Sequence, residues 1–368
     1  MNWGVDNLPY GVFSSHGREP RVGVRYGDRV LDLASALHDE VFAAPSLNAF
    51  MARGHAAWRD TRTLIKNKLT DDLSVTERHL IPLEQVELHL PFEVADYVDF
   101  YCSIDHASNI GKMFRPGTEP LQPNWRHLPV GYHGRSGTIV VSGTPVKRPH
   151  GQLGAGVFGP CAKLDIEAEL GFVVGTPTDP GSPAGAFEDH VFGVTLVNDW
   201  SARDIQSWEY VPLGPFLAKS FATSISPWIT PLEALPRIPG RAQDPEPVGY
   251  LRRLADWGLD ITLDVLLNGE VVSRPPYASM YWTPDQMLAH MTVNGARLRT
   301  GDLFASGTIS GPERDERGSL IELSWNGSEP IKLAGGETRT FLQDGDTVTI
   351  RGSAGGLALG EVTGTIVS

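Results

Sequence analysis

Short apolar runs, each closed within a few residues by glycine or proline, constrain the fold of this chain most strongly. Residues 137–141, 191–197 and 319–325 are clear examples, and we predict each to be a strand. The run 261–272 is divided by Asn268-Gly269, and Asn-Gly between two apolar strands is a strong hairpin signal. The 40 glycines and 28 prolines of the 368 residues separate such runs and form no low-complexity tract. The pattern therefore predicts a mainly β fold of the α+β class with few helices.

The first ninety residues form a separate unit in this pattern. Residues 21–26 and 29–33 alternate on either side of Gly27-Asp28, which predicts a hairpin. Ser46 can cap a helix that continues to about Leu69. The side chains predicted to face inward from this helix are Phe50, Trp58, Ile65 and Leu69. We place a domain boundary near residue 94, which gives a small domain, 1–94, and a larger one, 95–368.

Few helices are expected in the larger domain. One spans 201–210 and has Ser201 as its capping residue. Another begins at Thr283-Pro284, because threonine caps a helix well and proline suits the first helical position.

The charge and the cysteine count limit the partners and the compartment. The formal net charge of −13 argues against nucleic acid and against an anionic membrane surface, since both are bound through lysine and arginine. Two cysteines, Cys102 and Cys161, are too few for a disulfide scaffold. No apolar run approaches the length of a membrane span, and the first residues do not resemble a secretory signal. We expect a cytoplasmic protein.

Four carboxylates lie at or near predicted strands: Asp99, Glu167, Glu169 and Asp199. Glu167 and Glu169 are two residues apart, so in a strand both side chains leave the same face. Burying them unpaired is costly, and a hard cation would compensate. Oxygen ligands suit Mg²⁺ or Ca²⁺ and suit zinc or copper poorly. The alternative is four unrelated acids on the surface.

The segment after Asp199 offers polar groups at helical spacing. Arg203, Gln206 and Tyr210 stand at i, i+3 and i+7 and therefore share one face of the predicted helix. A cation, an amide and a phenol beside a metal carboxylate suit recognition of a carboxylate or an enolate. A solvated helix face is the alternative, although two nearby tryptophans favour a packed helix.

A general base is also needed for chemistry at such a site. His106 is the best candidate, because the ordinary histidine pKa is close to neutral, although a lone histidine can be merely structural. Glu322, in a predicted strand, either orients that base or faces solvent. Residues 154–159 match G-x-G-x-x-G, but no strand precedes them and Pro160 stands where a helix should open, so we reject a dinucleotide site.

Longer blocks carry a resemblance to a known family. They include DWSARDIQ at 199–206, LPVGYHGR at 128–135 and ASGTISGP at 305–312. The first block continues to residue 221, and residues 7–13 and 123–125 belong to the same pattern. In these blocks the chain resembles the fumarylacetoacetate hydrolase family over nearly its whole length. The resemblance implies a small N-terminal SH3-like β-barrel, a larger C-terminal mixed β-roll domain and a homodimer.

The resemblance also implies roles for residues. The metal ligands are the same four carboxylates, with Mg²⁺ or Ca²⁺ as the ion, and His106 is the base that Glu322 orients. The implied substrate-binding residues are Tyr101, Arg115, Tyr132, Gln206, Tyr210 and Thr308. Arg203, Gln206 and Lys219 would stabilise developing negative charge. Lys219, through its backbone carbonyl, and Thr223 match positions near a second, structural Mg²⁺. The pattern departs from the family at residues 103–105 and 352–356, which include none of these positions.

The implied activity is metal-dependent hydrolysis of a carbon–carbon bond. The expected substrate is 4-fumarylacetoacetate, a 1,3-diketo acid that carries two carboxylates, and the products are fumarate and acetoacetate. This is the last step of tyrosine, phenylalanine and homogentisate catabolism. An acylpyruvate hydrolase, a decarboxylase or an isomerase of the same superfamily is the first alternative. A Ca²⁺-stabilised β protein that binds ligands without catalysis is the second.

Overall fold

The structure, a computed structural model, describes residues 2–15, 17–71 and 76–368 and is mainly β, with several sheets and few helices. An antiparallel sheet of five strands forms the N-terminal part. Its strands, in spatial order, are Leu80–Pro82, Arg29–Asp32, Arg21–Tyr26, Tyr10–Ser15 and Val86–His89. The predicted hairpin is confirmed: Tyr26 pairs with Arg29, and Gly27 turns the chain with a φ of 62°.

Helices cover this N-terminal sheet. They are Leu33–Leu37, Asn48–Met51 and His55–Thr70. The single helix predicted from Ser46 to Leu69 is wrong, because it is interrupted before His55. Gly54 has a φ of 86°, which lies outside the helical range. Ser46 accepts a hydrogen bond from the Asn48 amide at 3.2 Å, but the residue at the capping position is Leu47, so the predicted cap is wrong. The four side chains predicted to face inward are all buried.

A central sheet of eight strands supports the candidate site. Seven strands follow one another: Gly131–His133, Tyr97–Phe100, Leu303–Ala305, Ala168–Val174, Val191–Asp199, Thr223–Ile225 and Ile139–Val141. The eighth, Thr230–Pro231, also pairs with Val191–Asp199. The strand predicted at 191–197 is confirmed, and the strand predicted at 137–141 begins only at Ile139, after a short 3₁₀ turn. Every residue of Val191–Asp199 is buried, as expected for the middle of a covered sheet.

A third sheet of five strands packs against the central one. Its strands, in order, are Glu270–Ser273, Ile261–Leu267, Thr347–Ala354, Leu357–Val367 and Val146–Lys147. The hairpin predicted at Asn268-Gly269 is confirmed, since Leu267 pairs with Glu270. Leu196 of the central sheet and Ile350 and Val362 of this sheet belong to one buried cluster, so the main core lies between the two sheets.

Short two-stranded ribbons complete the β structure. They pair His150–Gly154 with Val157–Pro160, Leu164–Asp165 with Ser201–Ala202, Arg237–Ile238 with Gly258–Leu259, and Ile331–Lys332 with Thr338–Arg339. The prediction that no strand precedes the G-x-G-x-x-G match is wrong, because the strand His150–Gly154 ends at its first glycine. The match continues into the strand Val157–Pro160 and not into a helix, which the dinucleotide motif requires. The rejection of a dinucleotide site on structural context is therefore supported.

The helices of the larger part are short. They are Ile104–Phe114, Phe187–His190, Arg203–Glu209, Pro284–Thr292 and Leu320–Leu323. The helix predicted from Thr283-Pro284 is confirmed, and Thr283 forms a capping box with Gln286. The helix predicted from Ser201 begins at Arg203, and Ser201 does not cap it, because its hydroxyl donates to the Asp199 carbonyl oxygen.

The strand predicted at 319–325 is wrong, because residues Leu320–Leu323 form a helical turn. The first two amides of this turn, at Leu320 and Ile321, donate to the carboxylate of Asp165, 155 and 156 residues earlier in the chain. A distant acceptor thus stabilises a helix that the apolar run does not reveal, since a short apolar run fits strand and buried helix equally.

The N-terminal part and the central sheet share a second buried cluster. Tyr10 exchanges two backbone hydrogen bonds with Ile229, and its ring lies 5.5 Å from that of Phe50 and 5.3 Å from that of Phe192. Phe192 belongs to the strand that ends at Asp199. One strand therefore connects the N-terminal core to the candidate site. Among the described residues, no helix combines the length and the apolar character needed to cross a membrane.

Candidate active site

Four carboxylates from separate segments meet beside the central sheet. Asp99, Glu169 and Asp199 lie on three of its strands, and Glu167 lies directly before the strand that contains Glu169. Each offers one oxygen, and these four oxygens all lie within 4.8 Å of one another. All four residues are buried. The structure thus brings together the acids that the sequence analysis singled out, although the run 164–170 is not one continuous strand.

Two cations contact this acidic cluster. The Lys219 ammonium forms ion pairs with Glu167 and, at 3.0 Å, with Asp199 Oδ2. Arg203 Nη1 lies 2.8 Å from Glu167 Oε1. Burial raises the pKa of Glu167, but the charges of Lys219 and Arg203 lower it further than burial raises it, so this carboxylate stays ionised.

The other acids of the cluster are less well compensated. Burial raises the pKa of Glu169 and of Asp99 well above the usual range, and the neighbouring carboxylates raise both further. Burial also raises the pKa of Asp199, against the opposing effects of Lys219 and Thr223. Among the described residues, no donor forms a hydrogen bond to either oxygen of Glu169 or to Oδ1 of Asp99.

These observations fit a divalent cation. When ionised, the four carboxylates share two cationic side chains, one of which, Arg203, also pairs with Asp165, so at least two negative charges are left over. Buried carboxylate oxygens without donors are costly unless a cation binds them. An all-oxygen set is the kind of site that hard divalent ions occupy.

A histidine and a glutamate form a buried pair beside the cluster. His106 Nδ1 donates to Glu322 Oε2 at 2.7 Å, and His106 Nε2 lies 4.0 Å from Glu167 Oε1. The second nitrogen of the ring therefore faces the acidic cluster while the first is held by Glu322. This is the arrangement in which a carboxylate fixes the tautomer and orientation of a base.

Glu322 lies on a helical turn and not on the predicted strand. Four hydrogen-bond donors hold its carboxylate. Besides His106, they are Asn109 Nδ2 at 2.9 Å and the hydroxyls of Ser310 and Ser319 at 2.9 and 2.7 Å. Burial raises the pKa of Glu322, but His106 and the other donors outweigh burial and bring it to about 2. Glu322 therefore remains a carboxylate although it is fully buried.

A cavity of about 410 Å³ opens onto these groups. Asp99, Glu167, His106, Arg203 and Lys219 line it. The six residues that the sequence predicts to bind substrate also line it: Tyr101, Arg115, Tyr132, Gln206, Tyr210 and Thr308. Two buried polar atoms of residues in the wall, Arg203 Nη2 and Thr308 Oγ1, have no hydrogen-bond partner among the described residues.

Four other residues predicted for the site do not line this cavity: Glu169, Asp199, Thr223 and Glu322. Thr223 donates to Asp199 Oδ1 at 2.6 Å and lines, with Asp199 and Lys219, an adjacent cavity of about 320 Å³. Glu169 and Glu322 do not line the large cavity but contact residues that do.

Several groups that support the site are not among the residues predicted from the sequence. Asn109 and the two serines bind Glu322, and Asp165 binds Arg203 Nε at 2.8 Å. Asn109 lies three residues after His106 in one helix, a spacing that could have indicated it. The serines and Asp165 carry no such local signal. Ser319 falls in the segment predicted as a strand, Ser310 falls in no predicted element, and Asp165 acts over a long sequence separation.

Two family models match the chain. One, described as "Fumarylacetoacetate (FAA) hydrolase C-terminal", matches residues 96–367. The other, described as "Fumarylacetoacetase N-terminal", matches residues 6–91. Together they account for nearly the whole sequence.

Curated relatives match over nearly their full length. The chain is 46% identical to the fumarylacetoacetase of Homo sapiens, with 99% of this chain and 96% of the human protein covered. Identity is 47% to the fumarylacetoacetase of Mus musculus, with coverages of 96% and 92%. It is 44% to the fumarylacetoacetase of Arabidopsis thaliana, with coverages of 99% and 95%.

Solved structures at low identity share the fold. A fumarylacetoacetate hydrolase from Exiguobacterium antarcticum matches with a TM-score of 0.58 at 19% identity, covering 98% of this chain and 99% of that one. A maleylpyruvate hydrolase from Sphingobium sp. SYK-6, solved with manganese(II) and pyruvate, matches with a TM-score of 0.56 at 17% identity and the same coverages.

Proposed function

Because the chain belongs to the fumarylacetoacetate hydrolase family, we propose that it is an enzyme that hydrolyses the carbon–carbon bond of 4-fumarylacetoacetate to fumarate and acetoacetate. This reaction is the last step of tyrosine and phenylalanine catabolism. The observation that carries the proposal is the buried His106–Glu322 pair beside four converging carboxylates, with His106 Nε2 4.0 Å from Glu167 Oε1 and both of these residues in the wall of one cavity. A protein that only bound a cation would have no need of a base oriented toward it.

Asp99, Glu167, Glu169 and Asp199 hold a divalent cation, Mg²⁺ or Ca²⁺. The donor set supports this assignment, since it contains only oxygens and leaves buried oxygens without protein donors. When bound, the cation supplies Lewis-acid stabilisation of negative charge on the diketone oxygens. A second, structural cation near Thr223 would use the backbone carbonyl of Lys219, because the ammonium group is paired with Glu167 and Asp199.

His106 is the general base of the reaction. With Nδ1 held by Glu322, Nε2 accepts a proton from water, and the resulting hydroxide attacks the carbonyl next to the fumaroyl arm. Glu322 stabilises the imidazolium that forms. When the carbon–carbon bond breaks, the electron pair leaves with the acetoacetate part, and the proton on Nε2 is available to its carbon.

Arg203, Gln206 and Lys219 stabilise the oxyanion of the tetrahedral stage. Arg203 Nη2 supports this role most directly, because it is buried without a partner among the described residues. Each donor lost from such a site costs about 3 kcal/mol of transition-state stabilisation. The substrate is gripped by the six binding residues of the cavity, with Arg115 suited to one carboxylate.

The finer architecture is part of the proposal. The N-terminal domain, 1–94, is an SH3-like β-barrel and the domain 95–368 a mixed β-roll, a division that the limits of the two family models support. The protein is a homodimer, which is supported by large exposed apolar side chains between Trp208 and Leu217. It works in the cytoplasm, where its two buried thiols stay reduced.

The test follows the loss of the enol absorbance of 4-fumarylacetoacetate with purified protein. We expect rapid consumption, loss of activity after exhaustive chelation and recovery with Mg²⁺ or Ca²⁺. The variant His106→Ala should lose turnover but keep its metal content, whereas His127→Ala, an exposed control, should match the wild type. An intact substrate would overturn the proposed activity, and normal turnover by His106→Ala would overturn the assignment of the base.

A further inference from the structure

Asp165 joins two parts of the site that are far apart in the sequence. It is fully buried, and four donors bind its two oxygens. Oδ1 accepts from the Ile166 and Leu320 amides at 2.7 Å each. Oδ2 accepts from the Ile321 amide at 3.1 Å and from Arg203 Nε at 2.8 Å. One carboxylate is therefore bonded both to a helical turn and to a guanidinium.

The helical turn contains Glu322, the residue directly after Ile321. The first amides of a helix have no acceptor within the helix, and here the carboxylate of Asp165 supplies one for two of them. A negative charge also suits the positive end of a helix. Asp165 thus sets the position of the backbone from which Glu322 reaches His106.

The same carboxylate orients Arg203. Its Nε binds Asp165, and its Nη1 binds Glu167 and Gln206 at 2.8 and 3.1 Å. These contacts fix the plane of the guanidinium and leave Nη2 without a partner among the described residues. Since a guanidinium is rigid and planar, a displacement at Nε moves Nη2 as well.

We propose that Asp165 is a positioning residue. It fixes Glu322, and through Glu322 the base His106, and it also fixes the charge-stabilising Arg203, so that these groups keep their positions relative to one another. The inference rests on the proposed hydrolysis. Misplacing reacting groups by about 1 Å can cost roughly 100-fold in rate. The loss of Asp165 should therefore lower kcat by more than its effect on stability would explain.

Asp32 provides a matched control, because it makes similar contacts outside the site. It is a buried aspartate that caps the helix Leu33–Leu37 through the Ser35 amide at 3.2 Å and pairs with Arg21 at 3.5 Å. Both variants, Asp165→Asn and Asp32→Asn, replace a buried, hydrogen-bonded carboxylate by an amide. Asp165 accepts from four donors, whereas Asp32 accepts from the amide and hydroxyl of Ser35 and only weakly from Arg21, so we expect the larger loss of unfolding free energy for Asp165→Asn in denaturant titration. The kinetic comparison is made in buffer where both variants are folded.

Kinetics should separate the two variants. For Asp165→Asn we expect kcat to fall about 100-fold with KM changed only a few-fold, because the groups that it positions act in the transition state. For Asp32→Asn we expect kcat to be unchanged. Equal kcat values for the two variants would overturn the proposal. If Asp165→Asn does not fold, Asp165→Glu keeps the charge and lengthens the side chain, and full kcat in that variant would be equally decisive against it.

A double-mutant cycle tests whether Asp165 acts through Arg203. We expect Asp165→Asn to reduce kcat much less in an Arg203→Gln background than in the wild type, since the group that it positions is already gone. A merely structural role predicts that the two effects multiply, and that result would contradict the proposal.

Hydrogen exchange distinguishes this inference from the proposed activity. Without any substrate, the amides of Leu320 and Ile321 should exchange faster in Asp165→Asn than in Asp32→Asn, with the protein metal-loaded. If the wild type leaves 4-fumarylacetoacetate intact, the proposed activity fails whatever the exchange shows. If the exchange is unchanged, Asp165 does not hold the turn and the inference fails while the activity stands.

Discussion

Two buried glutamates show how the surroundings of a residue set its chemistry. Glu322 has four donors, and its pKa falls to about 2. Glu169 has no donor among the described residues, and burial raises its pKa. The first is satisfied by protein groups alone and can orient a base, whereas the second is suited to binding a cation. Such divergent environments commonly mark distinct roles within one site.

The variant Glu322→Gln tests the orienting role. It keeps the size of the side chain but removes the charge that stabilises the His106 imidazolium. We expect kcat to fall about 100-fold or more, within the range that general acid–base catalysis contributes, while the metal content stays unchanged. Steady-state kinetics and elemental analysis provide the two measurements.

An exposed glutamate serves as the control for this change. Glu337 pairs with Arg339 at the surface, and Glu337→Gln should leave kcat unaltered. A Glu322→Gln enzyme with wild-type kcat would show that His106 needs no carboxylate.

At this scale the sequence identifies residues by type and motif but not by contact. Asp99, His106 and Glu322 could be singled out because acids and a lone histidine suggest chemistry, and the family blocks support them. Asp165 could not, because its bonds to Leu320 and Ile321 span more than 150 residues. Only the fold brings such groups together.

At the scale of elements, local signals with a clear physical cause were predicted well. The Asn268-Gly269 turn and the capped helix at Thr283-Pro284 both form as expected. The two errors have different causes, one a distant residue and the other a glycine inside the predicted helix. Residues 319–325 contain a helical turn because Asp165 caps it, and the helix expected from Ser46 to Leu69 breaks at Gly54.

The loop after the strand Leu303–Ala305 depends on Gly307. This residue has a φ of 73°, and a Cβ there would lie against the Phe100 carbonyl, closer than van der Waals contact. We expect Gly307→Ala to cost about 3 kcal/mol or more in unfolding free energy, because backbone strain and overpacking combine. Since Thr308 follows directly and lines the cavity, kcat should fall as well.

Gly269 offers the matched comparison. Its φ is 86°, but, apart from Gly269 itself and its two chain neighbours, no atom of the described residues lies within 4 Å of a Cβ placed there. Gly269→Ala should therefore cost only about 1–2 kcal/mol and leave kcat unchanged. Denaturant titration and kinetics on both variants give the measurement, and equal losses of stability would contradict the role assigned to the close packing at Gly307.

For the whole molecule, the acidic cluster makes stability depend on pH and on the cation. Without a cation, burial raises the folded-state pKa of Asp99 and Glu169 above the unfolded-state value. The folded state favours the protonated form of such a carboxyl group. The contribution of the group to the unfolding free energy is therefore complete below the unfolded-state pKa and is lost as pH rises through the folded-state pKa. The chelated protein should therefore lose stability as pH rises.

Thermal unfolding between about pH 5 and 8, with chelator or with Mg²⁺ or Ca²⁺, measures this dependence. The cation should raise Tm most at the higher pH, where the carboxylates must be ionised and binding is tightest. Glu169→Gln should weaken both the dependence on pH and the response to the cation. A chelated protein whose Tm rises over this range would show that the four acids do not form one strained cluster.

The N-terminal part and the central sheet should unfold together, because they share a core. Phe192 packs against Tyr10, Phe50 and Trp58 of the N-terminal part, with ring centroids 5.3 to 5.9 Å apart. It also belongs to the strand that ends at Asp199. A loss of packing at Phe192 should therefore destabilise both parts. The candidate site lies at the other end of this strand.

The variant Phe192→Ala should lower the unfolding free energy by about 3–5 kcal/mol, the usual cost of removing a buried phenylalanine. Tryptophan fluorescence and far-ultraviolet circular dichroism should give one coincident transition, because neither part keeps a complete core alone. At temperatures where the variant is folded, kcat should stay near the wild-type value. Phe158→Ala, at a position that is 73% exposed, should change nothing. Two separate transitions, with only the first shifted, would mean that the shared aromatic cluster does not couple the N-terminal part to the sheet that holds the acidic cluster.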